Sequence, residues 1–364
     1  MALASKVSKH LFMLILITTL AACNAISTTP TLTTDQEITS RLDAYITDAG
    51  FTGSVLVAKN GVVLLSKGYG LADRNKKIPN TGQTKFRIAS VTKQFTAMAI
   101  LILQSRGKLD LQDSVCNYFS ACPPAWQTIT LHQLLTHTSG IPDYYSSPDW
   151  TNYQATPMAP SELIEHFKDQ PLDFQPGTMW KYSNSGYEVL GKIIEQVSKT
   201  SYESFIKDNI LNPLKMEETG YLENAGDLAI GYPDAYTTQP ANFEHPSTLF
   251  ASGGLYTTVN DLYLWDQALF TGKLIPKELL DKMFTPYISL ADMPGITGSG
   301  YGYGWFIGEN KNHRILFHTG RIEGFNALNS VYPDDKVIVI VLSNQRIGDY
   351  GIGIQLADIV LGDE

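Results

Sequence analysis

Phe86-Arg87-Ile88-Ala89-Ser90-Val91-Thr92-Lys93-Gln94-Phe95 is the stretch around which the 364-residue chain is organised. A small residue and a serine open an apolar-periodic run, Val91, Phe95, Met98 and Ile102, that predicts a helix to about Leu103. On a helix, Ser90 and Lys93 stand roughly 60° apart around the axis and about 4.5 Å apart along it, so their side chains share one face. A serine hydroxyl becomes a strong nucleophile when a neighbouring base takes its proton, and an amine held neutral can do so. The helix N-terminus adds free N–H groups where an oxyanion forms.

Ser-x-x-Lys occurs three times: Ser90/Lys93, Ser105/Lys108 and Ser204/Lys207. Ser105 lies at the far end of the same helix, where Gly107 ends it. Ser204 lies inside the amphipathic run Tyr202 to Ile210 and is expected on an exposed helix face. Only Ser90 opens a helix.

Two further clusters carry candidate chemistry. The Pro176-Gly177 turn leads into Tyr182-Ser183-Asn184, the one Tyr-x-Asn among nineteen tyrosines, before a helix expected to open near Gly186. A phenol here could relay the serine proton to a leaving group, with Asn184 holding substrate amides. A packed loop tyrosine and a helix-capping asparagine would leave the same trace. His318-Thr319-Gly320 ends a predicted strand. Gly320 would allow close backbone approach to a ligand, and His318 would donate near a substrate carboxylate or the Tyr182 oxygen.

The N-terminus reads as an address. Lys6 and Lys9 precede the apolar run Leu11 to Leu20, which is short for a bilayer span, and residues 1–22 read as a signal segment. Leu20-Ala21-Ala22-Cys23 resembles a bacterial lipobox, which implies cleavage before Cys23 and a lipid on its thiol. Asn24 at the next position implies, by the same resemblance, sorting to the outer membrane, facing the periplasm of the cell envelope. Residues 23–34 then form the lipidated cysteine and a tether. Cys116 and Cys122 remain, placed for a small disulfide loop in an oxidising compartment. Neither has a second cysteine or histidine at metal-ligand spacing, so no metal site and no cofactor are expected. Formal net charge is −9, and loss of Lys6 and Lys9 takes it to −11, which disfavours nucleic acid and anionic membrane surfaces as partners. The membrane enters only through the Cys23 lipid.

Strand signals gather at both ends of residues 35–364. Ser54 to Lys59 and Val62 to Gly70 flank Asn60-Gly61, a strong hairpin signal. Gly302 to Ile307, Arg314 to Thr319, Phe325 to Tyr332 and Val337 to Ser343 follow late in the chain. Helices are expected at Gln36 to Ala49, Ser161 to Lys168 with Ser161 as N-cap, Tyr202 to Leu211 ended by Asn212-Pro213, Asp261 to Phe270, and Ile352 to Leu361. The fold class is α/β in the α+β sense: an antiparallel sheet built from both chain ends (about 35–85 and 250–364), flanked by helices, with a helical part (about 86–249) inserted. A site is then expected in the cleft between the two parts.

Taken together, Ser90-x-x-Lys93, Tyr182-x-Asn184 and His318-Thr319-Gly320 resemble the serine β-lactamase-related, penicillin-binding-protein-like hydrolases. This family includes class C β-lactamases, D-alanyl-D-alanine carboxypeptidases, esterases and D-aminopeptidases. Similar phrases run from Gly53-Ser54-Val55-Leu56-Val57 through Leu134 to Gly140 (LLTHTSG) to Val341-Leu342-Ser343-Asn344. The resemblance implies a β-lactamase/transpeptidase-like fold and Ser90 as a nucleophile that forms an acyl-enzyme. Lys93 and Tyr182 would share the proton work, and Asn184 would bind the substrate amide. The backbone N–H groups of Ser90 and Arg321 would form the oxyanion hole. It implies as substrate a small molecule or peptide, a D-amino-acid peptide such as a peptidoglycan stem peptide or a small ester. His318 stands where β-lactamases of this type have lysine, which turns the reading away from a dedicated β-lactamase. Arg321 could supply the missing carboxylate-binding charge, although on a regular strand it faces away from His318. A class C-like β-lactamase and a non-catalytic cell-wall-binding relative are the alternatives. No Gly-x-Ser-x-Gly elbow exists in the chain, which argues against an α/β-hydrolase. Substrate choice is expected to lie in loops such as Asp143 to Met158 and Ser289 to Tyr301.

Overall fold

The computed structural model describes residues 34–221, 227–345 and 349–363. The signal segment and Cys23 lie outside them. Helix α1 (Thr34–Asp48) leads into strands β1 (Gly53–Lys59) and β2 (Val62–Tyr69). Asn60 (φ 54°) and Gly61 (φ 79°) both take left-handed backbone, which matches the twist of a two-residue hairpin. The remaining strands of the main sheet come late: β3 (Ile288–Ser289), β4 (Thr297–Tyr301), β5 (Phe306–Asn310), β6 (His313–Ile322), β7 (Phe325–Tyr332) and β8 (Val337–Ser343). They form one sheet in the order β2-β1-β8-β7-β6-β5-β4-β3, antiparallel throughout. The seam between the chain's two ends is β1 on β8, with Val55 opposite Val341.

Both faces of the sheet are covered, so its central strands are apolar without alternation. Val55, Val57, Val339 and Val341 pack on one face under Leu42 and Ile46 of α1 and Leu356 and Val360 of α5 (Asp349–Leu361). Leu56, Ala58, Ile340 and Leu342 point the other way, into the larger core shared with the helical part. That core is centred on α2 (Thr92–Ser105), in which every residue from Thr92 to Leu103 is buried. A helix buried on all sides is a fixed platform rather than a surface element. Helix α3 (Asn184–Ser198) packs along it, and α4 (Val259–Ala268) meets it where Trp265 stacks on Phe95 at 4.3 Å. Cys116 and Cys122 are joined in a disulfide. Among the described residues no helix is long and apolar enough to cross a membrane.

Several local expectations need correction. Helix α3 opens at Asn184, two residues before Gly186. The helix expected from Ser161 begins at Pro160, and Glu162 accepts the Ala159 N–H at 2.7 Å, so Ser161 is not the N-cap. The chain after Tyr202 stays helical through Pro213, because a π-turn at Lys207–Leu211 precedes a residue that needs no N–H partner. Thr297–Tyr301, read as loop, is strand β4, and the strand expected from Gly302 begins at Phe306. Thr297-Gly298-Ser299-Gly300-Tyr301 has low strand propensity, and pairing with β5 overrides it.

Candidate active site

Ser90 lies in a tight 3₁₀ turn, Ala89–Val91, that runs directly into α2. Strand pairing positions it: Phe86 and Arg87 pair with Thr257 and Tyr256, and the Ile88 N–H donates to Leu255 O at 3.1 Å. Ala89 is held at φ 45°, a left-handed conformation that costs a residue with a Cβ on the order of 1 kcal/mol. The turn therefore stores strain immediately before the serine. Strand β6 presses against it, and a Cβ on Gly320 would lie 2.0 Å from Ile88 O. The close approach that requires Gly320 is thus to the serine's own turn, where a ligand had been expected.

Lys93 is fully buried one turn on. Its Nζ lies 3.1 Å from Ser90 Oγ, 2.7 Å from Asn184 Oδ1 and 2.9 Å from Ser252 O. Burial lowers the pKa of the ammonium, against the opposing pull of Glu188 and Asp143. A neutral amine has two N–H bonds and one lone pair. The two carbonyl oxygens can only accept, so they claim both N–H bonds and leave the lone pair for the Ser90 hydroxyl. Asn184 is itself fixed, since Asp143 Oδ1 accepts from its Nδ2 at 3.1 Å and from its backbone N–H at 2.9 Å.

Tyr182 is half-buried, and the Ser90 side chain is near enough to its hydroxyl to pull its pKa down. Burial raises its pKa well above the ordinary tyrosine value, so it is a phenol that holds its proton. Its ring lies 4.3 Å from that of His137 and 4.9 Å from Lys93 Nζ.

His318 is buried and differs from its expected role. Its Nδ1 lies 2.6 Å from Thr319 O, which can only accept, so Nδ1 carries the proton. Nε2 then accepts from Tyr301 Oη at 3.0 Å. Tyr301 Oη also lies 3.2 Å from His137 Nε2, and His137 Nδ1 accepts the Ser183 N–H at 3.2 Å. Both rings are neutral and tautomerically fixed. Burial, with help from the Lys93 charge, pushes His318 down to about 3. Its donor is spent on the backbone and reaches neither a substrate carboxylate nor Tyr182. Arg321 is exposed, three positions along β6 and on the opposite face.

The structure thus brings Ser90, Lys93, Tyr182 and Asn184 together and sets His318 behind them, with Gly320 against the serine turn. It adds Asp143, Ser252, His137 and Tyr301, which sequence reading did not assign. His137 lies in the phrase Leu134 to Gly140 already noted as family-like, whereas Asp143 and Ser252 carry no local signal.

A hydroxyl, a buried amine and a phenol in mutual contact at a helix start form the constellation of one hydrolase group, and the comparisons agree. The model of the family described as Beta-lactamase matches residues 39–358. The chain belongs to this family of serine hydrolases. It is 36% identical over 310 residues to PbpX of Bacillus subtilis (strain 168), covering 84% of this chain and 73% of that protein. A penicillin-binding protein homologue from Pyrococcus abyssi, described as octameric, superposes with a TM-score of 0.80 at 30% identity, covering 90% of this chain and 77% of that one. D-amino acid amidase from Ochrobactrum anthropi SV3, solved with D-phenylalanine, shares the fold with a TM-score of 0.75 at 23% identity, covering 90% of this chain and 97% of the other.

Proposed function

We propose that this protein is an exported, lipid-anchored serine hydrolase that cleaves an amide or ester of a D-amino acid or small acid through an acyl-enzyme on Ser90. The observation that carries the reading is the Lys93 amine, whose N–H bonds go to Asn184 and Ser252 and whose remaining position faces Ser90. Lys93 takes the Ser90 proton as Oγ attacks the carbonyl carbon. The backbone N–H groups of Ser90 and Arg321 receive the oxyanion, the role that the family resemblance implies. Lys93 returns the proton through Tyr182 to the leaving group as the C–N or C–O bond breaks. Water then attacks the Ser90 ester, and Ser90 regains its proton. His318 stays neutral, so a substrate carboxylate meets no fixed cation from this position, which favours amides and esters over penicillins. The D-phenylalanine bound to the amidase supports D-aminoacyl groups as the class to try first.

Intact-mass spectrometry with D-phenylalanine amide, a p-nitrophenyl ester and benzylpenicillin tests the reading, with Ser90→Ala as control. Ser90-dependent release from the amide or ester is the expected result. Rapid Ser90-dependent penicilloate formation would replace it with a β-lactamase, and a stable penicillin adduct would indicate a peptidase-like site. No Ser90-dependent chemistry with any of the three would support a non-catalytic relative. Anchoring is tested by fractionation, with Cys23→Ser expected to move the protein from the membrane pellet to the soluble fraction.

A further inference from the structure

Glu188 is a fully buried carboxyl group that the steps above leave unused. It lies four residues after Asn184 on α3, so the helix presents both side chains on one face, toward Lys93. Glu188 Oε2 accepts the Ala251 N–H at 3.1 Å, and the nearby Ser252 side chain favours its charged form. The next carbonyl in that segment, Ser252 O, is the one that receives Lys93. Tyr144 Oη lies 2.5 Å from Thr248 O and 3.1 Å from Glu188 Oε1. The tyrosine has one proton, and Thr248 O can only accept, so the shorter contact claims it. The longer contact is then made by a proton on Glu188. The Tyr144 contact therefore suits a carboxylic acid, and the oxygens around Lys93 accommodate its amine as well as its ammonium.

We propose that Glu188 is a positioning residue for Lys93, whose amine and the Glu188 carboxyl hold one proton between them while Glu188 pins the 251–252 segment that orients the amine. This rests on Lys93 being the base assigned above. At rest that proton exchanges within the pair: on Glu188 it leaves Lys93 free to accept, and on Lys93 it is held by the Glu188 carboxylate. When Ser90 is acylated, its proton enters the pair at Lys93, and the same proton leaves with the departing group, so the pair returns to one. Other groups facing Lys93 are Asp143, which stabilises the ammonium, the Tyr182 and Tyr187 rings, and the neutral His137 and His318. Glu188 faces Tyr144 and Tyr202 besides. Burial acts on both members in the direction of neutrality, raising Glu188 and lowering Lys93.

The test is a ¹³C NMR titration of the whole protein labelled at glutamate Cδ, with the Glu188 signal assigned by its loss in Glu188→Gln. In the wild type it is expected to titrate at least about two units above the ordinary glutamate value of about 4.3. In Lys93→Met the midpoint should rise further, by about one unit, because the cation that favours the carboxylate is gone. An ordinary midpoint, or one indifferent to Lys93→Met, overturns the proposal. The kinetic consequence is read from the pH dependence of Ser90 labelling by a fluorophosphonate. Glu188→Gln should narrow the acid limb to a single ionisation and move it about one unit lower, since no carboxylate remains to hold the ammonium. A uniform loss of rate with an unmoved limb would mean a merely structural role. If Glu188→Gln does not fold, Glu188→Asp serves: it should keep the broad two-ionisation limb at reduced rate, and a single ionisation there overturns the proposal. The NMR arm needs no turnover, so failure to label Ser90 would strike the hydrolase reading while the titration still decides the shared proton.

Discussion

Lys93 and Gln94 are consecutive, yet about 100° apart around α2 they open two different buried polar pockets. On one side Lys93 meets Ser90, Asn184 and Ser252 O, and every N–H it has is used. On the other, Gln94 Oε1 accepts from Trp265 Nε1 at 3.2 Å and Asn329 Nδ2 at 3.1 Å, and Asn329 Nδ2 also reaches Asp266 Oδ1 at 2.7 Å. In this second pocket Gln94 Nε2, Asp266 Oδ2 and Asn329 Oδ1 are buried and have no hydrogen-bond partner among the described residues. Burial raises Asp266 well above the usual carboxylate range. A displaced pKa therefore does not distinguish the two pockets. Ser90 does: it is a nucleophile within hydrogen-bond reach of the perturbed group, and it is partly exposed where Gln94, Asp266 and Asn329 are sealed.

The strongest way to break this contrast is at the nucleophile. Ser90→Ala should lower turnover by more than ~10³-fold, the scale typical of serine nucleophiles. Ser105→Ala and Ser204→Ala should leave it nearly intact, since Ser105 bonds its own helix at Ile102 O and Ser204 bonds Ser201 on an exposed face. Near-wild-type activity in Ser90→Ala would remove the distinction altogether. A finer test is Tyr182→Phe. It should cost about 10²-fold on an amide, within the range of general acid–base catalysis, and clearly less on a p-nitrophenyl ester, whose leaving group departs without a proton. Equal losses on the two substrates would assign Tyr182 to positioning instead.

How much of this contrast was legible beforehand follows from the range of the interactions. The Asn60-Gly61 hairpin and the Ser90/Lys93 face are local, set by backbone preference and helical period, and both could be read directly. Tyr182 and Asn184 came from spacing combined with resemblance. Asp143 reaches the site from a loop and Ser252 from the short helix Phe250–Gly253, and nothing within a few residues of either announces it. Ala89 gives no sign of its left-handed backbone, because the strain is imposed by β6 and the 255–257 segment packing around it. The direction of the His318 ring depends on Tyr301, seventeen residues earlier on another strand. Glu188, by contrast, was four residues past Asn184 on a helix already expected, and helical spacing could have found it.

The silent pocket makes a prediction of opposite kind. Asp266 has its folded pKa raised above the unfolded value, so the native state binds the extra proton between the two. Its favourable contribution is full below the unfolded value of about 3.9 and is lost as pH rises toward the folded pKa. Asp266→Asn removes that loss and offers an N–H group to the unpartnered Asn329 Oδ1. Thermal unfolding should show the variant and wild type nearly equal near pH 4 and the variant ahead by at least about 1 kcal/mol at pH 8. Activity should not change. A drop in turnover without a drop in stability would show that the two pockets communicate through α2.

A surface titration supplies the reference for both buried pockets. His313, at the start of β6, holds Asp335 Oδ2 at 2.8 Å through Nδ1 and Asp363 Oδ2 at 2.9 Å through Nε2, tying the β5–β6 turn to the β7–β8 turn and the chain's end. The hydrogen bond to Asp335 comes first in raising its pKa, with the charges of Asp335 and Asp363 adding to it. The sign is that of Asp266, since a raised folded pKa again means stability present below the unfolded value of about 6.5 and lost as pH rises through the folded one. The cause is opposite, because here the charged form is the favoured one. Solvent screens this half-buried surface ion pair, so His313→Gln should lower Tm at pH 6 by less than Asp266→Asn raises it at pH 8, and the loss should shrink with added salt. Salt should leave the Asp266 effect in place, because no mobile ion reaches a sealed carboxyl group. Equal salt sensitivity at both positions would mean that the Asp266 pocket opens to water, and the contrast with the Lys93 side would then rest on the nucleophile alone.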